Sequence, residues 1–237
     1  MSKLTINGYE LELSNLDKVF FKKADVTKGE VIDYYMKIFS TMKPHMRNRP
    51  LTLHRYPDGV DGEDFYQKEA PDYLPNYVST FKIDKKEGGS QQQIICDKKS
   101  TLVYLANLGT VIFHIWLSQV NSLNYPDKII FDLDPPEDDF EVVRDAAFDL
   151  RDYLKGLGFE SFVMTTGSKG LHIALSIEKE LGFDEVRKLS GIIASSLAAN
   201  YPKKYTTEIR KNKREGRLFL DNARNAYGQT SVVPYSL

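Results

Sequence analysis

The stretch "IIFDLDPP", residues 129–136, ends a hydrophobic run with two aspartates one residue apart. Side chains alternate along a strand, so Ile129, Phe131 and Leu133 point one way and Ile130, Asp132 and Asp134 the other. The same arithmetic applies to "LHIALSI", 171–177, where Leu171, Ile173, Leu175 and Ile177 oppose His172, Ala174 and Ser176. In "RLFLD", 217–221, Leu218 and Leu220 oppose Arg217, Phe219 and Asp221. Paired in one sheet, these strands would give an aliphatic underside and a polar floor bearing Asp132, Asp134, His172 and Asp221.

Nothing nearby in sequence neutralises the aspartate pair. Adjacent carboxylates stay ionised together only with a cation between them; otherwise one takes up a proton. All-carboxylate ligation suits hard ions such as Mg²⁺ or Mn²⁺. Three aspartates can serve two such ions in phosphoryl transfer. A bare D-x-D before two prolines equally suits a strand-ending turn. "TTGSKG", 165–170, is a small, hydroxyl-rich turn. Its backbone N–H groups can cradle phosphate while Ser168 and Lys169 add a donor and a charge, although an ordinary structural turn reads the same way. It lacks the G-x-x-x-x-G-K-[ST] spacing of a P-loop. His172 gains weight from its place on the polar face. His114, in the apolar "VIFHIWL", fits a core histidine or a phosphate contact.

Outward from these strands, "EDDFEVVRDAAFDLRDYLKGLG" reads as an amphipathic helix with acids in its first turn and Gly156 at its end. "SFVMT" is a strand and "GFDEVRKLSGIIASSLAANY" a second helix. The order β-α-β, β-α-β resembles a ferredoxin-like sheet with helices on one face. In the first half, "TINGYELEL" predicts a hairpin turning at Asn-Gly. "TKGEVIDYYMKIFSTMKP" predicts a helix closed by Pro44, and "STLVYLANLG" a short one with a serine cap and a glycine stop. "LTLHRY", "DFYQK", "YVSTFKI" and "QQQIIC" read as strands. The charged loop at 84–90 should project into solvent.

The 237 residues, 41% hydrophobic, suffice for one large domain or two closely packed lobes. No apolar segment reads as a signal peptide or a membrane span. The single cysteine, Cys96, excludes an internal disulfide framework and fits a reducing cytoplasm; it reads as core or edge rather than nucleophile. The net charge of −1 is zoned: residues 203–217 carry seven basic side chains against two acidic ones. "KPHMRNRPLTLHR" adds Lys43, Arg47, Arg49 and Arg55 with no acid, as a phosphate-handling surface requires.

"FDLDPP", "TTGSKGLHI" and "GRLFLDNARNAYGQTSVVPYSL", in this order and spacing, resemble the polymerase domain of the bacterial and archaeal ligase D system. That domain is a primase-polymerase of the archaeo-eukaryotic primase superfamily, used in non-homologous end joining. "NLDKVFF", "TKGEVIDYY", "RPLTLHRYPDG" and "DFYQKEAP" extend the resemblance over essentially the whole chain. It implies a single α+β primase-polymerase domain, 1–237, with a ferredoxin-like catalytic lobe at 111–237 packed against an N-terminal α/β lobe at 1–110. Asp132, Asp134 and Asp221 match the metal-binding, catalytic carboxylates. His114, Ser168 and Lys169 match nucleotide-handling positions, joined by His172. Thr166 replaces a serine frequent in relatives, and Arg224 a glutamine. Asn15, Lys18 and Lys28 match residues that grip a downstream 5′-phosphate. Phe65 and Tyr66 match an aromatic pair that stacks on template bases, with Arg55 beside them among the DNA-binding residues.

The resemblance thus implies a template-directed nucleotidyltransferase filling gaps at broken DNA ends. It would use two Mn²⁺ or Mg²⁺ ions and nucleoside triphosphates, with a preference for ribonucleotides. Its partners would be gapped DNA with a 5′-phosphate, a separate DNA ligase and a Ku-type end-binding protein, in the cytoplasm. The family usually places an arginine directly after "PYSL", whereas this chain stops at Leu237, and no ligase or nuclease segment is attached; the loop at 84–90 could help align two DNA ends. A metal-dependent phosphodiesterase or nuclease, and a non-catalytic end-bridging protein, are the competing readings of the same residues.

Overall fold

A computed structural model describes residues 2–85 and 88–237. Lys86 and Glu87, in the middle of the loop proposed to align DNA ends, lie outside the described residues. The chain divides into two units, 1–116 with 232–237 and 117–231.

The second unit is built on β10 (Lys128–Asp134), α3 (Phe140–Gly156), β11 (Ser161–Thr165), β12 (Leu171–Ser176), α4 (Phe183–Asn200), β13 (Tyr205–Thr206) and β14 (Leu218–Asp221). Its sheet has the order β11-β12-β10-β14-β13. The first four strands are antiparallel neighbours and β13 joins the edge in parallel, which is the ferredoxin-like arrangement with one added strand. One face carries Ile129, Phe131, Leu133, Leu171, Ile173, Leu175, Leu218 and Leu220. These pack with Val143, Ala146, Leu150 and Leu154 of α3 and Val186, Ile193, Ala194 and Leu197 of α4 in one continuous core. The other face is free of helices in this core and keeps the polar residues. Asp139 caps α3 through the Glu141 N–H at 3.0 Å, and the left-handed Gly158 follows the helix at φ +86°.

The first unit opens with a hairpin of β1 (Ser2–Ile6) and β2 (Tyr9–Leu13), turning at Asn7 and Gly8 with φ +53° and +80°. These values suit the primed turn that Asn-Gly favours. After β3 (Val19–Phe21) and β4 (Val26–Thr27) comes α1 (Lys28–Met46), capped reciprocally by Thr27 and Glu30. Then follow β5 (Leu51–Arg55), β6 (Phe65–Gln67), β7 (Ser79–Asp84), β8 (Ser90–Ile95), α2 (Lys99–Asn107) and β9 (Thr110–Trp116). β5 pairs with both β6 and β9, and β7 with β8. The core gathers Val31, Ile32, Tyr35 and Met42 from α1, Leu51 and Leu53 from β5, Leu102 and Leu105 from α2, and Phe113. Residues 232–237 return here, with the Val233 N–H on the Phe113 carbonyl at 2.9 Å.

Two sequence expectations are corrected. Pro44 does not end α1, which runs to Met46. A proline removes only its own N–H, and the Arg47 N–H still closes the last turn on the Lys43 carbonyl at 2.9 Å. Nor does a serine cap α2: its N-cap is Lys98, and Ser100 lies buried inside the helix. The Ser100 N–H instead meets the Asn7 side chain at 3.2 Å, so the hairpin turn supplies an acceptor to the helix start.

Candidate active site

The polar face of the second unit assembles by register. Asp132 lies opposite His172 on β12 and opposite Asp221 on β14; Asp134 lies opposite Phe219. Directly paired residues share a face, so Asp132, His172 and Asp221 form a row across three central strands, and Asp134 follows two positions along β10. Gly170 meets β10 so closely that a Cβ there would run into the Leu133 carbonyl oxygen and would stand 3.7 Å from the Asp132 Oδ1. A side chain at this position would push the 165–170 turn away from the aspartates. Within the turn, Gly167 has φ +75°, and the Thr166 hydroxyl donates to the Gly170 carbonyl at 3.2 Å. Ser168 and Lys169 are exposed, and Lys169 reaches Asp138 at 2.9 Å.

Asp132 is 7% exposed. Burial alone would raise its pKa, but His172 and Arg224 outweigh that effect and hold the carboxyl below its usual range. Its Oδ2 accepts from Arg224 Nε at 2.8 Å, pairs with Nη2 of the same guanidinium at 2.6 Å, and lies 3.3 Å from His172 Nε2. The Ser231 hydroxyl stands 3.3 Å from His172 Nδ1. Asp134 shifts the opposite way: burial and then the charges of Asp132 and Asp221 push it up. Asp221 accepts the Ala223 N–H at 2.7 Å. The neutralising cation absent from the local sequence is therefore Arg224, brought from 92 residues away.

Sequence reasoning missed Asn225, which holds that arginine's turn. Its side chain is wholly buried, accepts the Ile130 N–H and donates to the Ile130 carbonyl, both at 2.8 Å. The pairing of β14 with β10 stops at Asp132, and Asn225 continues the hydrogen bonding two residues further along β10, at Ile130. A second asparagine three residues after the Asn222 of "FLDN" was the available signal.

In the first unit, Asn15 has φ +54° and its carbonyl accepts the Lys18 N–H at 3.1 Å. The Lys18 carbonyl takes the Lys28 N–H at 2.8 Å, bringing both lysines to the start of α1. Lys28 is buried, its ammonium on the Ser14 carbonyl at 2.7 Å; burial and then Lys18 push its pKa down. Lys18 binds the Pro57 carbonyl at 2.9 Å and pairs with Asp58. Phe65 and Tyr66 are exposed rather than packed into the core. Arg55 lies 5.1 Å over the Phe65 ring, with its guanidinium fixed on the Leu108 carbonyl and Gln67. Tyr66 stacks on His54 at 4.0 Å between ring centres, and His114 meets Tyr66 edge-on at 5.7 Å. His54 also pairs with Asp64.

Among the described residues, no three His, Cys, Asp or Glu side chains stand ready-made as a metal-holding group. The donor chemistry nonetheless fits a hard divalent ion: Asp134 is raised by burial and then by the charges of Asp132 and Asp221, and Asp132 already carries a cation. Three carboxylates gathered on one face of an antiparallel sheet suit the chemistry of nucleotidyl-transferring enzymes.

The model of the LigD primase-polymerase domain family matches residues 27–237, and the chain belongs to that family of DNA-directed nucleotidyltransferases, which need divalent metal ions. It is 34% identical over 229 residues to the bifunctional non-homologous end joining protein LigD of Bacillus subtilis, covering 96% of this chain and 36% of that protein. It is 31% identical to the multifunctional LigD of Mycolicibacterium smegmatis, over 96% of this chain and 30% of the relative. The chain thus spans about a third of the length of these curated relatives. Among solved structures, the polymerase domain of Mycobacterium tuberculosis ligase D in complex with DNA matches with a TM-score of 0.89 and 29% identity, covering 96% of this chain and 82% of that one. Among the described residues, no helix is long and apolar enough to cross a membrane.

Proposed function

We propose that the chain is a template-directed polymerase that fills short gaps at broken DNA ends during non-homologous end joining. One observation carries this reading: Asp132 and Asp221 are paired across adjacent strands, with Asp134 on the same face. These three carboxylates would hold two divalent ions, Mn²⁺ in preference to Mg²⁺, which when bound supply charge stabilisation for the reacting oxygens. Ser168 and Lys169 of the turn beside them would hold the triphosphate, with the Lys169–Asp138 pair opening to phosphate, and Thr166 would lie near the sugar. His172, 3.3 Å from both the Ser231 hydroxyl and the Asp132 carboxylate, would also contact the nucleotide. We expect ribonucleotides to be preferred.

DNA contacts are assigned to the first unit. Lys18 and Lys28 would seat a downstream 5′-phosphate at the N-terminus of α1, where the helix dipole adds to two ammonium charges. Asn15 shapes that loop through its left-handed backbone. Phe65 and Tyr66 would offer rings to template bases, with Arg55 bracing Phe65. The name of the B. subtilis relative and the DNA-bound M. tuberculosis structure support DNA ends as substrate. A Ku-type protein and a ligase acting in the cytoplasm complete the proposal.

Primer extension on a gapped duplex, with and without the 5′-phosphate and with ATP or dATP in Mn²⁺, tests it. The expected result is templated addition with pyrophosphate release, stimulated by the phosphate. Shortening of the DNA without incorporation would instead identify a nuclease.

A further inference from the structure

The Oδ2 of Asp132 is crowded. Arg224 Nε donates to this one oxygen at 2.8 Å, Nη2 of the same guanidinium lies 2.6 Å from it, and His172 Nε2 stands 3.3 Å away. A carboxylate oxygen offers about two lone-pair directions. Three nitrogens packed against Oδ2 leave a metal ion no approach to it while the guanidinium stays. The carboxylate is almost fully buried, so it would be strongly destabilised if that cation left with nothing in its place.

The arginine itself is built to move at its tip and not at its base. Its side chain keeps 35% exposure. Nη1 adds only a 3.3 Å contact to the Thr230 carbonyl. The backbone beneath it is pinned on both sides: Asp221 holds the Ala223 N–H, and Asn225 clasps both backbone groups of Ile130.

From this geometry we propose that Arg224 is a resident counter-ion of the aspartate cluster, holding the cation position on Asp132 until a divalent ion displaces it. The inference rests on the metal-binding reading of the aspartates given above. Guanidinium and metal ion compete at Oδ2, so a metal ion that takes this oxygen swings the guanidinium aside. The displaced charge remains beside the site and needs a new anion, which the phosphates of an incoming nucleotide provide. Metal alone therefore binds weakly, and Arg224 acts as a positioning residue that favours metal arriving together with triphosphate.

The test is titration of the metal-free protein with Mn²⁺ alone, following the free ion by electron paramagnetic resonance. Arg224→Gln should bind Mn²⁺ more tightly, on the order of tenfold, the usual scale of one charge-assisted hydrogen bond. Arg224→Lys should return towards weak binding, because a cation again occupies the place. In EDTA, Arg224→Gln should melt below the wild type and recover more than the wild type on adding Mn²⁺. An unchanged or weaker Mn²⁺ affinity in Arg224→Gln, while Asp132→Asn abolishes binding, would overturn the counter-ion role and leave the metal site standing. Mn²⁺ binding indifferent to Asp132→Asn would overturn both.

Discussion

At the scale of single residues, the site is a balance of charge. Asp132 is held ionised by His172 and Arg224 against its burial, whereas Asp134 is pushed towards protonation by burial and its neighbours. Lys28 makes the mirror-image case in the first unit, its pKa depressed by burial and Lys18. A phosphate monoester favours the protonated ammonium, so discrimination for a 5′-phosphorylated end should fall as pH rises through that depressed value, below the ordinary lysine range. Lys28→Arg, which stays charged, should flatten the profile. Fluorescence anisotropy with phosphorylated and hydroxyl-ended duplexes reads this directly; a wild-type profile as flat as that of Lys28→Arg would refute the role. The candidate carboxylates were legible from strand periodicity because period two fixes a face. Their counter-ion was not, because an arginine 92 residues away meets Asp132 only through a sheet pairing and a short turn.

At the scale of elements, two close contacts fix the site. Gly170 is there because any side chain would strike the Leu133 carbonyl. Gly170→Ala should cost about 1–3 kcal/mol by overpacking against backbone, and weaken nucleotide binding as the 165–170 turn retreats. Chemical denaturation and a triphosphate titration measure the two effects. Asn225 stands in for the strand pairing that β14 abandons after Asp221. Asn225→Ala should cost about 2–4 kcal/mol, since it leaves two buried backbone groups of Ile130 without partners. Stability unchanged in that variant would show that the amide clasp is incidental. Here the sequence could be read for helices and strands but not for caps: Pro44 sits inside α1, and the α2 start takes its acceptor from Asn7, a long-range contact that local pattern cannot contain.

At the scale of the whole molecule, two units each bury their own core, one around α1, β5 and β9, the other under the ferredoxin-like sheet. Strand alternation made the second sheet legible, because three strands with one aliphatic face each have only one way to bury it. The first unit was harder to read, its short strands separated by polar turns and paired out of simple sequence order. The near-neutral chain hides its zoning: basic residues gather at 203–217 and 43–55, acids around 132–141. That zoning suits a protein that takes up polyanions at some surfaces and cations at one. The lone Cys96 is fully buried, and burial pushes its thiol well above the usual range, in keeping with a structural role.

Templated nucleotide addition is assigned to the aspartates of β10 and β14. The most direct test of that assignment is extension of a primer across a one-nucleotide gap by the wild type and by Asp132→Asn and Asp221→Asn, each checked for unchanged folding by circular dichroism. The wild type should incorporate the complementary nucleotide, and both variants should lose this activity by at least about 10²-fold, the order expected when groups stabilising the transition state are removed. Either variant extending the primer at the wild-type rate would contradict the assignment.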